Sequence, residues 1–555
     1  MPQDEKGRGN QPGPIRTSRF SIQNRHFDFH GPVFWSSSLI AAAFIVFSLI
    51  QGAGMQEVFS TIQEGISTYA GWFFILCVNL FLFFCLFIAF SRYGRIRLGG
   101  PDARPEFSLF AWFAMLFSAG MGIGILFWSV GEPVTHYLSP PIGDGGSIES
   151  AEMAMELTFL HWGFHAWAIY AVVGLALAFF TYNQGLPLSI RSVFHPVFGN
   201  KVHGVAGDVI DTLAVVSTLF GLATSLGFGA SQVSAGIEHL FGIEDTVFLQ
   251  IAIIVLITLA ATVSVVLGVD KGVRVLSEAN IRLAAVFLVI VMLIGPTRFI
   301  LDSFVQNTGN YLQELFGLSF WTETYSGGDW QNSWTVFYWA WWISWSPFVG
   351  IFIARVSKGR TIREFILGVL VVPSLLTFLW LSTFGGSALW VEMGAGGGAI
   401  AGAVQENIAT ALYVLMEQFP FSFAINILAV VLIIGFFVTS SDSGSLVIDS
   451  LTSGGKLNAP KGQRVFWAQM EGLVAAVLLL GGGLAALQTT AIVAGLPFSI
   501  VLLVMCWSVY KGLKSEYSVF DRGGSGSHRR EEKPDRPGVN GKERVERTGS
   551  VKTPV

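Results

Sequence analysis

From residue 33 to residue 510 the chain is a succession of apolar stretches separated by short polar connections. Each is about twenty residues long, the length of helix that crosses the ~30 Å hydrocarbon core of a bilayer. Twelve are readable, over 33–51, 72–91, 108–128, 155–180, 209–232, 248–268, 281–300, 331–354, 365–384, 421–440, 466–486 and 490–510. In lipid, only helices and closed barrels satisfy every backbone group. The pattern therefore predicts an all-α integral membrane protein with twelve transmembrane helices. Composition agrees: 13% of residues are charged, against about 25% in a soluble domain. Nothing in it points to a nucleic-acid partner. Cys77, Cys85 and Cys506 lie in apolar segments without ligand spacing, which argues against a disulfide framework or a zinc site. The polar first thirty residues lack an apolar core, so no cleaved signal peptide is expected.

The loops orient the chain. Arg16, Arg19 and Arg25 precede the first span, and Arg92, Arg95, Arg97 and Arg104 follow the second. Further along, every second connection again carries Lys or Arg, as in Arg355, Lys358, Arg360 and Arg363. The alternate loops, 52–71, 129–154, 233–247, 301–330, 385–420 and 487–489, contain neither, and Arg298 beside them is the exception. By the positive-inside rule both termini are expected in the cytoplasm. Residues 301–330 carry the amphipathic run FVQNTGNYLQELF, expected as an interfacial helix. Residues 513–555 end in a Gly/Arg/Glu/Pro-rich tail expected to be disordered.

The eighth span contains FYWAWWISWSPFVG, Phe337 to Gly350. At about 100° per residue, Trp341, Trp345 and Trp342 fall at roughly 0°, 40° and 100°, on one face, with Trp339 elsewhere. Pro347 has no amide proton, so the helix is expected to open near it. A face of indoles beside a helix break suits a soft cation, above all a quaternary ammonium, which ring quadrupoles attract without hydrogen bonds. Single tryptophans in membrane proteins are commonly belt or packing residues; three on one mid-span face are not accounted for that way.

Three other motifs sit in apolar spans. SAGMGIGILFWSVGEP, Ser118 to Pro133, places Gly120, Gly122 and Gly124 at alternate positions of the third span. That spacing makes no flat small face, so it predicts a broken helix with freed carbonyls near Met121, suited to a small cation. HWGFHAWAIY in the fourth span carries Trp162, Trp167 and Tyr170, which can form an aromatic wall. Its His161 and His165 have metal-pair spacing, but no third ligand is apparent, so packing histidines are expected. FFVTSSDSGS, Phe436 to Ser445, offers the hydroxyls of Thr439, Ser440, Ser441 and Ser443, hard neutral oxygens that suit sodium and also serve interhelical hydrogen bonds. Interruptions in the third and eighth spans would open two blocks of five, spans 3–7 and 8–12. Matching broken helices of this kind mark the midplane site of an inverted-repeat transporter.

With these motifs in view, the chain from about Phe34 to Tyr510 resembles the betaine/carnitine/choline transporter family. FYWAWWISWSPFVGIFIARVSKGRTIREF, Phe337 to Phe365, looks like its signature, and AGMGIGILFW with GEP matches its sodium-coupled betaine members. The resemblance implies a LeuT-like core of two inverted five-helix repeats, 108–300 and 331–512. Two extra N-terminal helices at 31–107 would precede it, behind a cytoplasmic tail at 1–30, and the assembly would be a homotrimer. It implies an aromatic substrate box of Trp162, Trp167, Tyr170, Trp341, Trp342 and Trp345, with Met121, Gly122 and Gly124 beside the substrate. It implies a sodium site of Met121, Phe436, Thr439 and Ser440. A second set matches at Thr218 and Phe348, but Leu222 stands where the pattern has threonine. Gly124 leaves no counter-charge for a cationic substrate; an aspartate there resembles choline transporters. The expectation is sodium-coupled uptake of glycine betaine or a related quaternary-ammonium or sulfonium zwitterion, an osmoprotectant, with no cofactor beyond the coupling ion. A proton-coupled or exchange carrier for choline or carnitine is the alternative. An intramembrane enzyme using His161, His165 or Asp442 lacks a nucleophile–base constellation.

Overall fold

A computed structural model of the protein describes residues 21–23, 27–120, 122–267, 270–394, 397–456 and 460–527. Among the described residues the regular structure is helical except for two three-residue strands, Ser21–Gln23 and Asp28–His30, paired antiparallel. This part of the N-terminal tail is docked rather than free. Asp28 accepts from Lys456 at 2.7 Å, His30 meets Asp208 at 2.6 Å, and Phe29 stacks on Phe34.

Span 1 is Gly31–Gln51, span 2 Met55–Phe90, and span 3 the pair Leu109–Gly120 and Ile123–Leu138. Span 4 is the pair Ile148–Trp162 and Phe164–Tyr182, span 5 Val205–Phe241, span 6 Val247–Leu267 and span 7 Asp270–Ile294. Span 8 is Phe337–Val356, span 9 Ile362–Glu392 and span 10 Ser422–Thr452. The helix from Lys461 continues to Ser527. Its apolar part, Lys461–Tyr517, has 57 residues. At 1.5 Å per residue that is about 86 Å, nearly three bilayer cores. It folds back at Gly482 and Gly483, where Gly483 has φ 58°, a conformation side chains disfavour. The two arms are spans 11 and 12. Between spans 9 and 10, Ala399–Asn407 and Ala411–Glu417 are each too short to cross. The count of about twelve follows.

Several expectations need correction. Span 8 does not open at Pro347: it is one helix from Phe337 to Val356. The carbonyl that Pro347 cannot serve is that of Ile343, and the Ser346 hydroxyl donates to it at 2.7 Å. The irregular turn precedes the span, as a π-helical segment at Asn332–Val336. The second broken helix is span 4, interrupted at Gly163 with φ −96° and ψ −141°. A side chain there would meet the Phe159 carbonyl, the Tyr311 hydroxyl and the Phe378 ring within 3 Å. The freed amide of Phe164 donates to Tyr311 at 3.1 Å. The turn between spans 11 and 12 falls at 482–483, not 487–489. The segment expected to be disordered from residue 513 is helical through Ser527. Its Tyr517 ring takes the Arg92 guanidinium at 5.0 Å and packs edge-on against Tyr93.

The amphipathic run forms the helix Thr297–Phe320, with Ile300, Asn307, Tyr311, Leu315 and Ser319 buried along one stripe. The spans pair with an offset of five. Span 4 packs on span 8 as span 9 packs on span 3. Span 5 binds span 12 through Ser217 to the Ala494 carbonyl and Thr224 to the Leu487 carbonyl, both 2.9 Å, while span 10 meets span 7 at Thr439 and Asn280. The signature's loop, Ser357 to Thr361, is clamped to the span 2–3 loop by a bridge of Arg97 with Thr361 and by Arg360, which donates to the Phe107 carbonyl at 2.7 Å and lies 4.8 Å over the Trp112 ring of span 3.

Candidate functional site

The glycine run of span 3 gives the indoles of spans 4 and 8 a place to lie. The two halves of span 3 meet at 68°. A Cβ on Gly120 would sit 2.1 Å from Trp167 Cη2, and one on Gly124 would sit 2.5 Å from Trp341 Cη2 and 3.4 Å from Trp162 Cη2. Gly122 faces Trp345 Cη2 at 3.5 Å and the Ser440 hydroxyl at 3.9 Å, measured the same way. At Gly120 and Gly124 only hydrogen permits so close an approach, whereas a Cβ on Gly122 would make ordinary contact. The alternate glycines therefore serve two purposes, a broken helix and a ring-sized clearance.

The rings themselves are buried and touch. Trp341 and Trp342 stack at 4.6 Å between centroids, and Trp162 meets Trp342 edge-on at 4.9 Å. Tyr170 joins Trp342 at 6.3 Å and Trp167 at 5.6 Å. Trp341 also stacks on Phe337 and meets Phe228. Five of the six expected box residues thus form one cluster. Trp345 stands apart from it and packs on Phe348, with its indole donating to the Gly221 carbonyl at 3.0 Å. The stacked faces of Trp341 and Trp342, 4.6 Å apart, leave no space for a cation between them. The cluster as it stands is closed. The indole nitrogen of Trp341 and the hydroxyl of Tyr170 are buried within it, each without a hydrogen-bond partner among the described residues.

One carboxylate ties the cluster together. Glu132 of the GEP motif, wholly buried, accepts from the Trp162 indole at 2.8 Å and the Tyr338 hydroxyl at 2.5 Å through one oxygen. Its other oxygen meets His161 Nδ1 at 2.6 Å, and His136 Nε2 lies 3.5 Å away. Three spans, 3, 4 and 8, converge on this one group. The sequence carried a signal for it, an acid inside an apolar span, but its partners are set by tertiary contacts. The His161–His165 metal pair does not form, because the break at Gly163 lies between them. His165 turns to Asn79 at 3.1 Å. Glu132, His136 and His161 are instead clustered, with ligand atoms within 4.8 Å of one another. The 2.6 Å gap between His161 and Glu132 fits a proton; zinc ligands about 2.0–2.1 Å from a shared metal stand roughly 3.3 Å apart. Trp339 lies outside the box, against His161 and His165.

On span 10, the Thr439 hydroxyl donates to the Gly435 and Phe436 carbonyls at 3.0 and 3.2 Å, and Ser440 is the residue turned toward Gly122. Met121 lies outside the described residues. In the second expected set, Thr218 bonds within its own helix to Ala214 at 2.7 Å. Leu222 packs its methyl into the notch of Gly444, and Thr224 is occupied by the Phe220 and Leu487 carbonyls. Thr224 therefore does not replace the missing oxygen.

Comparison with known proteins identifies the family. The model of the betaine/carnitine/choline family transporters matches residues 32–518. Glycine betaine transporter 1 of Vibrio parahaemolyticus is 48% identical over 515 residues, covering 89% of this chain and 96% of the relative. A glycine betaine/proline/choline/ectoine transporter of the same organism is 46% identical, covering 90% of each chain. The glycine betaine transporter OpuD of Bacillus subtilis is 45% identical, covering 87% of this chain and 94% of its own. A family match over nearly the whole chain, together with the glycine-seated aromatic cluster, makes this protein a multi-pass membrane transporter of the betaine/carnitine/choline transporter family.

Proposed function

We propose that the protein imports glycine betaine, or a closely related quaternary-ammonium or sulfonium zwitterion, by sodium-coupled symport with alternating access. The observation that carries this reading is the closed ring cluster of spans 4 and 8, seated on the glycines of span 3 and holding two unpartnered donors. When the rings part, their faces hold the onium group. The Trp341 indole N–H and the Tyr170 O–H then donate to the carboxylate. Both are neutral, as suits a substrate with no net charge. Choline has no carboxylate to take them, and Gly124 leaves no space for an acid beside Trp341 to balance its charge. The names of the relatives, glycine betaine transporters among them, support the same substrate class.

Sodium binds the oxygens of Thr439, Ser440 and Phe436 on span 10, with Met121 of span 3 completing the set. The neutral hydroxyl and carbonyl donors fit that ion. Ser440 already faces the break at Gly122, so an ion there joins span 10 to the segment that seats the rings. Coupling requires that sodium bind the substrate-competent arrangement better than the other. A second sodium at Thr218 and Phe348 lacks the oxygen that Leu222 has displaced. The offset-of-five pairing supports two repeats, 108–300 and 331–512, moving against one another, behind the two N-terminal helices of 31–107. In this reading the protein sits in a bacterial inner membrane with both termini in the cytoplasm, and a homotrimer is the expected assembly.

Trp345→Leu removes the indole that bonds Gly221 and faces Gly122. It should abolish uptake of labelled glycine betaine in proteoliposomes while the purified protein remains monodisperse. Near-normal uptake by this variant, or choline outcompeting glycine betaine in the wild type, contradicts the reading.

A further inference from the structure

Glu471 is unused by anything described so far. It lies ten residues into span 11, about 15 Å from Lys461 along the helix and so near the bilayer midplane. It is 0% exposed, and neither carboxylate oxygen has a hydrogen-bond partner among the described residues. One oxygen lies 3.2 Å from where a Cβ on Gly444 of span 10 would be, in the same notch as the Leu222 methyls of span 5. Two further buried oxygens of this region are also unpartnered. Ser441 lies one turn before Gly444 on the same face of span 10, and Thr258 of span 6 packs against Gly472.

An ionised carboxylate in that position has no donor among the described residues to replace the hydration it loses on burial. The charged group that acts on it is Asp442 of span 10, of like sign. Span 5 presents Leu222, span 6 presents Thr258, and spans 1 and 2 meet span 11 through Phe34 at Trp467 and Met55 at Gly481, none of them cationic. A sodium ion here would need the Ser441 and Thr258 hydroxyls to join the carboxyl, which instead packs against a Leu222 methyl and the Gly444 backbone. We propose that Glu471 is a proton-binding site: it carries a proton in the arrangement seen here, and its release when spans 5, 10 and 11 separate makes transport pH-dependent. The inference is independent of which residues hold sodium. Only its uptake readout rests on the transport reading.

The first test is infrared spectroscopy of the purified full-length protein. A protonated-carboxyl C=O band should shift in Glu471→Asp and vanish in Glu471→Gln. In the wild type it should titrate away as pH rises. Its absence in the wild type, or its persistence unchanged in both variants, overturns the proposal. The second test is glycine betaine uptake at a fixed sodium gradient; the quaternary substrate has no proton of its own to lose in this range. Wild-type uptake should fall on the alkaline side with a limiting slope of about tenfold per pH unit, the signature of one proton. Glu471→Gln, which imitates the protonated form, should be flat over the same range. A flat wild type, or a variant that keeps the wild-type fall, overturns the proposal. So does an ionised Glu471 whose replacement weakens sodium activation, which would make the group a sodium ligand. Loss of sodium dependence in both proteins with the band intact counts against the sodium reading alone.

Discussion

Glu132→Leu is expected to lower glycine betaine uptake by about a hundredfold or more. The leucine fills the volume but leaves the Trp162 indole, the Tyr338 hydroxyl and His161 without their acceptor, all in a buried site. Each stranded donor costs about 1–3 kcal/mol, so even the low end of three such losses, about 3 kcal/mol, exceeds a factor of a hundred in the population of the assembled cluster. Glu132→Gln isolates the cause. The amide oxygen can still accept from Trp162 and Tyr338. His161 can change tautomer, accepting from the amide and donating to Thr335, which it already meets at 2.9 Å. That variant should keep uptake within about tenfold of wild type, with the loss mainly in apparent affinity. Equal loss in both variants would mean that charge, not hydrogen bonding, is what the site requires. Wild-type uptake by the leucine variant would remove Glu132 from the account.

Gly120→Val should be nearly as damaging, for a steric reason. Its Cβ would stand 2.1 Å from Trp167 Cη2 and 2.6 Å from Cζ2, so the indole has to leave. Overpacking of a buried site costs about 1–3 kcal/mol before any functional loss is counted. Pairing it with Trp167→Ala relieves the clash, so thermal stability in detergent should recover in the double variant. Uptake should not, because the ring that was displaced is part of the wall. Uptake returning with stability would show that Trp167 is packing alone.

Much of this was legible in the sequence because two periodicities dominate it. Apolar runs of bilayer length give the spans, and the helical repeat puts Trp341, Trp342 and Trp345 on one side. The glycine spacing of span 3 correctly marks a break, since three small residues two apart have no simple packing use. Pro347 misleads for a local reason. The proline leaves one carbonyl unserved, and the neighbouring Ser346 hydroxyl takes it, so the helix continues. The break at Gly163 is invisible to periodicity, because the residues that exploit it, Tyr311 and Phe378, come from distant segments. That break also resets the phase of Trp162 relative to Trp167 and Tyr170, so one continuous helical wheel misplaces it. The Glu132 hub depends on three spans converging, which no single stretch reveals. Residues 513–527 are helical despite their polar composition, with the first turns held by Tyr517 against Arg92 and Tyr93, while residues 528–555 lie outside the described residues.

The most direct test of the central claim is uptake of labelled glycine betaine into proteoliposomes, driven first by an inward sodium gradient and then by a proton gradient alone. The account predicts accumulation with sodium, none with the proton gradient alone, and loss of sodium activation in Thr439→Val combined with Ser440→Ala. Accumulation indifferent to sodium would mean that the oxygens of span 10 are structural and that this transporter is coupled in another way.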